Sequence, residues 1–368
     1  MPVDAILPGE AWPGGAPPWS VALREEDHSY LVTDWVWDAF ALPRGSFEVA
    51  HTSRNIVSGT GVKKKYFPQF DADATIAKKF DAWQLPGSRS KYKGMTKEEI
   101  KRQWSGNDAA ARGTEMHLIF EKYYTWANAR KRAGSEETEE QLLDAYALEA
   151  RPAERGFHDE WRQFRWYVVN VVPHDQMLAP EMTLAAPAHR VCGCADIVAK
   201  GSKPNGVRLL DYKRSKHACL PTDFAFGKWN SDDDAERANG YRPCAFMKAN
   251  KYSEYRVQLN LYKWILQKHY GVEVESMHLV RMYPEATADG RALAGKAAVI
   301  PVEDCQDVIE VIMAERLRAL RVRRLFRVAV FVALLCPRAR PKRARPKRAL
   351  LAAWDVTTRK KRRIAACC

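Results

Sequence analysis

Apolar positions along this chain fall first into helical spacing and then into strand spacing. Thr96 and Glu99, a hydroxyl and a carboxylate three residues apart, form a capping-box pattern that predicts a short helix ending near Ser105. A second helix is expected from Asp108 to about Arg132, carrying GTEMHLIFEKYY, and a third over residues 137–171, with Pro152 as a point of kink or break. Beyond it, EMTLAAPA, RVCGCADIVAK and VRLLDYKRS read as three consecutive short strands, the last two separated by the turn-forming SKPNG. Helical spacing returns from Tyr255 to His269, with Val257, Leu261, Trp264 and Ile265 on one face. MHLVRMY and AAVIPV read as two further strands, followed by a helix from about Glu303 to Leu320.

Four stretches break this pattern. The Pro/Gly-rich start, residues 1–27, reads as a mobile arm. From Ser29 to Phe80 the pattern is mixed, with a strand-like SYLVTDWVW and a turn-like PQFDADA, and residues 220–250 form an irregular insert rich in Asp, Asn and Gly. Residues 321–368 carry a tandem ARPKR repeat at 339–348 and the cluster RKKRR at 359–363, a composition expected to be disordered. The expected architecture is a single α/β domain over residues 28–320, a small mixed central β-sheet flanked by helices. An N-terminal helical wall closes one side of a cleft.

The distribution of charge changes the meaning of the +14 net charge over 368 residues. Arg316 to Arg363 hold 18 of the 59 basic residues and one acid, Asp355, so the remainder of the chain carries 41 basic and 44 acidic residues, a net of −3. The body is close to neutral, and the overall basicity belongs to the tail, read either as a solvated extension or as a nuclear-targeting or DNA-tethering segment. The eight cysteines include no CxxC pair, which argues against a zinc ribbon, and their scatter suits free thiols in a reducing compartment. The start of the chain shows neither a secretory signal nor a mitochondrial transit pattern. The longest apolar run, Val328 to Cys336, has nine residues, where a bilayer span needs roughly 20. The expectation is a soluble, intracellular protein with no membrane partner.

Acids on consecutive strands beside a histidine-bearing helix suit phosphodiester hydrolysis, which needs a cation to neutralise the scissile phosphate and acidify a water. Asp196 lies in CADIVA and Asp211 ends the apolar run VRLLD; in an antiparallel hairpin the two can converge on one ion. Residues i and i+2 of a strand share a face, so Asp211 and Lys213 project together. A lone D-x-K is equally a surface ion pair at a strand end. His117 and Glu121 share one face of their helix, as do Gln258 and Tyr262 of theirs, and Gly113 would permit close approach of backbone or phosphate. Taken singly, His117 reads as a packed core histidine and Gln258 and Tyr262 as polar-rim residues.

The order of these segments adds what none supplies alone. GTEMH at 113–117, Gly193-x-x-Asp196, DYK at 211–213 and Gln258-x-x-x-Tyr262 occur in sequence, and the set resembles the RecB-type branch of the PD-(D/E)XK nucleases, including mitochondrial genome maintenance exonucleases. The wording around the motifs is similar to homologues in large DNA viruses and protists, over roughly residues 28–320. The resemblance implies a restriction-endonuclease-like core and a metal-dependent DNA nuclease. Its expected mode is exonucleolytic, on single-stranded ends or flaps, in repair, recombination or replication. It implies Mg²⁺, with Mn²⁺ able to substitute, held by His117, Asp196, Asp211 and the Tyr212 carbonyl, with Lys213 as the catalytic lysine beside Asp196 and Asp211. Gln258 and Tyr262 would support the site and touch DNA, with Arg214, Glu121 and Glu181 as weaker candidates. The early Cys and later C-x-x-C group that hold an iron–sulfur cluster in some RecB-type nucleases are absent, so no cluster is expected. The alternative is a non-catalytic nucleic-acid-binding module whose affinity comes mainly from the basic tail.

Overall fold

The computed structural model describes residues 13, 20–24, 29–33, 56–69, 71–104, 107–215, 219–223, 239–284 and 295–335. The chain divides into two units, Met1–Ala314 and Glu315–Cys368.

Within the first unit, β1 (Ser20–Arg24) and β2 (Ser29–Thr33) pair antiparallel, Ser20 opposite Thr33. A strand therefore occupies part of the Pro/Gly-rich stretch expected to be a mobile arm. Next come β3 (Val57–Ser58), α1 (Gly59–Lys63), α2 (Ala72–Gln84), α3 (Lys97–Trp104) and α4 (Asn107–Arg132). Asp71 caps α2 by accepting from the Ala74 amide at 2.9 Å, so the turn-like PQFDADA is a helix start. The capping box at α3 is formed as expected: the Glu99 amide donates to Thr96 Oγ1 at 3.2 Å and the Thr96 amide to Glu99 Oε2 at 2.7 Å.

The helix expected over 137–171 is two, α5 (Glu139–Ala150) and α6 (His158–Asn170). Arg151 ends α5 in the left-handed region at φ 48°, and Pro152, unable to extend the helix, turns the chain into α6. Then follow β4 (Met177–Ala186), β5 (Val191–Lys200), β6 (Gly206–Arg214), α7 (Lys251–His269), β7 (Glu273–Met282), β8 (Ala298–Pro301) and α8 (Gln306–Leu335). Helix α7 starts four residues earlier than its apolar face suggests because Asn250 caps it through the Ser253 amide at 2.9 Å. Helix α8 begins in the first unit and runs on to Leu335 rather than ending near Leu320. Its sequence meets neither glycine nor proline before Pro337, so no breaker stops it sooner. Residues 336–368, with the ARPKR repeat, lie outside the described residues. Among the described residues no helix is long and apolar enough to cross a membrane.

β3 to β8 make one mixed six-stranded sheet in the order β3-β5-β6-β7-β8, with β4 on the other edge of β5. β6 and β7 are parallel and joined by α7, as a crossover connection requires, while β4–β5, β5–β6 and β7–β8 are antiparallel. One apolar core lies between the sheet and α1, α7 and the start of α8, built on Leu259, Ile265, Leu279 and Ile309. A second lies toward α4, α5 and α6, and is aromatic: Phe120 stacks on Phe164 at 3.9 Å, with Tyr123 and Tyr212 edge-on to them and Tyr167 edge-on to Tyr212. The fold is thus α/β, a mixed open sheet with helices on both faces.

Candidate metal centre

Strand β5 pairs with β3 at Val191 and Cys192, and with β6 from Ile197 onward on that side. Asp196 sits in the gap between the two partners. The register Pro180↔Ile197 and Met182↔Ala195 sets Glu181 of β4 opposite Asp196, and Ile197↔Leu210 makes Asp211 of β6 the next position on the other side. Three carboxylates therefore stand in a row across three adjacent strands, a consequence of pairing that strand sequence alone does not disclose.

Helix α4 brings His117 to this row. Its Nδ1 is 3.2 Å from Glu181 Oε1 and 3.6 Å from Asp196 Oδ2, and His117, Glu181 and Asp196 can each offer a ligand atom within 4.8 Å of the others. Asp196 Oδ2 also accepts from the Tyr212 amide at 2.7 Å, locking β5 and β6 together at this point. Asp211 is buried and ion-paired through Oδ2 with the Lys213 ammonium, while its buried Oδ1 has no hydrogen-bond partner among the described residues. Lys213 Nζ lies 3.9 Å from Asp196 Oδ2 and donates to the Tyr212 carbonyl at 2.8 Å.

Electrostatics follow from this crowding. Burial, then the Asp211 charge, push the Asp196 carboxyl up to about 7 against the pull of His117 and Lys213. Burial opposes a charged His117 ring, but Asp196 and Glu181 outweigh it and raise its pKa above the ordinary value. Burial likewise opposes the Lys213 ammonium, and Asp211 and Asp196 overcome it, so this lysine holds its proton more tightly than usual. Burial works against the Glu181 carboxylate too, yet its bond from His117 and the Cys194 thiol, which donates to Oε2 at 3.3 Å, hold it below the usual range. Glu181 also has φ 46°, a left-handed conformation inside a strand for a residue that is not glycine. Strain of about 1–3 kcal/mol is typical of such a residue, and it clusters at functional sites.

Behind the row, α7 contributes Gln258 and Tyr262. Gln258 Nε2 donates to the Tyr262 hydroxyl at 3.0 Å, and Lys63 Nζ of α1 donates to Gln258 Oε1 at 2.7 Å. The Tyr262 ring fills space that side chains at Gly59 and Gly193 would need: a Cβ would come within 2.7 Å of its Cε1 at Gly59 and 2.3 Å at Gly193. The glycine of Gly193-x-x-Asp196 is thereby explained by Tyr262, which ties two sequence-distant motifs into one packing unit. Among the described residues Gly113 has no neighbour within 4 Å of a would-be Cβ, so no described backbone closes on it.

The structure thus brings together His117, Glu181, Asp196, Asp211, Lys213 and the Tyr212 backbone, with Gln258 and Tyr262 packed behind. Two predicted residues stand apart. Arg214 is nearly buried, its Nε donating to Glu160 Oε1 at 2.9 Å and its guanidinium 5.0 Å from the Tyr283 ring. Glu121, one turn beyond His117, is outside the three-residue cluster, and its charge acts on the Cys194 thiol. Lys63 was missed: in the run Lys63-Lys64-Lys65 it reads as solvated surface, yet it is buried.

The donor set fits a hard divalent cation. Three carboxylates face one firmly charged lysine in a largely buried site, and the orphaned Asp211 Oδ1 has a lone pair to give. No family model matches the chain, and no curated protein matches it.

Proposed function

We propose that this protein is a divalent-metal-dependent nuclease that hydrolyses phosphodiester bonds in DNA on a restriction-endonuclease-like core. Single-stranded ends or flaps are its proposed substrates. The observation that carries this reading is the row Glu181–Asp196–Asp211 across β4, β5 and β6, met by His117 from one helix and Lys213 from the strand itself. His117, Glu181, Asp196 and Asp211 would hold Mg²⁺ or Mn²⁺. When bound, the cation supplies charge neutralisation at the scissile phosphate and makes an attacking water more acidic.

The chain's own residues do the rest. Lys213 is kept protonated by Asp211 and Asp196, so it serves as a fixed positive charge and hydrogen-bond donor toward a phosphate oxygen rather than as a proton acceptor. Its bond to the Tyr212 carbonyl limits the directions the ammonium can take. Asp196, anchored by the Tyr212 amide, and Glu181, held by Cys194 and His117, are oriented before any ligand arrives. Gln258 and Tyr262 brace the Gly193 end of β5 and keep the row in register.

The test is cleavage of end-labelled single- and double-stranded DNA with Mg²⁺, Mn²⁺ or EDTA, beside Asp211→Ala and Lys213→Ala. Metal-dependent products from the wild type and a loss of about 10³-fold or more in each variant are expected. Activity that survives EDTA, or that Asp211→Ala retains, sinks the reading.

A further inference from the structure

Lys63 is the last residue of α1 and only 5% exposed. An ammonium carries three donors, and in this structure Gln258 Oε1 takes one of them at 2.7 Å. Its other neighbour is the Tyr255 ring, 4.7 Å from Nζ to the centroid, and Lys213 Nζ approaches the same ring at 5.0 Å. Among the described residues no carboxylate oxygen lies within ion-pair distance of Lys63. Glu254, whose charge it feels, is paired instead with Lys251 at 3.1 Å. A buried ammonium held by one neutral amide and one ring face is costly unless an anion meets it. Burial accordingly lowers the Lys63 pKa to about 8, with Glu254 only partly offsetting it.

Fold stability gives no reason to keep a charge there, because a buried methionine would pack in its place without the desolvation cost. The position gives one. Lys63 and Lys213 address one tyrosine ring, that of Tyr255, and the charges of both Lys213 and Asp211 act on Lys63. We infer that Lys63 is a second phosphate-binding lysine of this site, gripping a backbone phosphate of the nucleic-acid strand next to the one Lys213 faces. This inference rests on the nuclease reading for the identity of the strand. The Gln258 amide fixes the Lys63 ammonium, and the Gln258–Tyr262 pair holds that amide against the glycines of α1 and β5.

The experiment compares the full-length wild type with Lys63→Gln and Lys63→Arg. It reads kcat and KM on an end-labelled single-stranded oligonucleotide and the salt dependence of its binding in EDTA. Lys63→Gln removes the charge but keeps a donor for Gln258; Lys63→Arg keeps the charge and guards against a folding defect. Loss of one phosphate contact lowers the log–log salt slope by about 0.7 for single strands. The expected result is that change in Lys63→Gln, a several-fold to tenfold weaker KM with kcat within about threefold, and a wild-type slope in Lys63→Arg. An unchanged slope and KM in Lys63→Gln with a fallen kcat makes Lys63 a brace for Gln258 and overturns the inference, while a cleaving wild type leaves the nuclease reading standing. A wild type that never cleaves, but whose binding slope depends on Lys63, sinks the catalytic reading and keeps the phosphate grip.

Discussion

Among the described residues, two histidine–carboxylate pairs are largely shielded from solvent, His174–Glu139 and His117–Glu181, and they are finished differently. At His174 and Glu139 the carboxylate is fully used: Oε2 meets His174 Nδ1 at 2.6 Å and the His174 amide at 3.2 Å, and Oε1 accepts from the Tyr123 hydroxyl. Glu139 also opens α5, where a negative charge suits the helix dipole. Burial opposes the charged carboxylate, but these bonds overcome it and keep its pKa low. At His117 the ring meets a strained Glu181 and an Asp196 pushed up to about 7, and the neighbouring Asp211 keeps a buried oxygen with no hydrogen-bond partner among the described residues. One pair closes on itself and staples α5 to the start of β4; the other is left electrostatically incomplete. A His–carboxylate contact is therefore no sign of function by itself, and what distinguishes the second is surplus negative charge with unspent lone pairs.

The largest expected contrast comes from breaking each pair in turn. Asp211→Asn should lower turnover about 10³-fold or more. Glu139→Gln should leave turnover within about threefold and cost about 2 kcal/mol, seen as a fall of several degrees in Tm. Equal loss of activity in both variants would erase the distinction between the pairs.

Asp196 sharpens the comparison through pH. Its folded-state pKa lies above the ordinary value of 3.8, so the folded protein keeps a proton that the unfolded chain has lost. The stabilisation this gives is complete below about pH 4 and disappears as pH rises through about 7. At pH 8 and without metal, Asp196→Asn should be more stable than the wild type by on the order of 1–3 kcal/mol, and the difference should vanish near pH 4. Mn²⁺ should raise the Tm of the wild type at pH 8 and not that of the variant. Calorimetry at the two pH values, with and without Mn²⁺, checks both; a less stable Asp196→Asn at pH 8 would contradict the crowding argument.

The smallest effect concerns Glu181. If its backbone is strained for the sake of ligand placement, Glu181→Gly should be more stable than Glu181→Ala by about 1 kcal/mol, although both lose the metal response. A denaturant titration ranks them, and alanine ranking above glycine would remove strain from the account.

Much of this was legible beforehand because it is local. Periodicity placed α7 and the strands β4 to β8 within a few residues, and the hydroxyl–carboxylate spacing at Thr96 and Glu99 foretold a capping box that forms. Asp196, Asp211, Lys213 and His117 could be singled out from residue type, spacing and order. Glu181 was only a weak candidate, since nothing in EMTLAAPA announces the pairing register or the positive φ. Lys63 was invisible in a run of three lysines, and β3 with α1 hid in a mixed stretch because each is too short to show a period. Arg214 looked like a site residue until Glu160, 54 positions earlier, took its guanidinium.

The sequence by itself determined most of the longer helices and strands and which side chains could ligate a metal, because helix and strand periods, caps and residue types are encoded within a few neighbouring positions. Only the tertiary structure decided that Glu181, Asp196 and Asp211 form one row and that Tyr262 needs Gly59 and Gly193. It alone placed Lys63 beside Gln258. Those relations depend on strand register and helix docking, which are settled by the burial of whole faces at long sequence separation and leave no local mark on the residues they bring together.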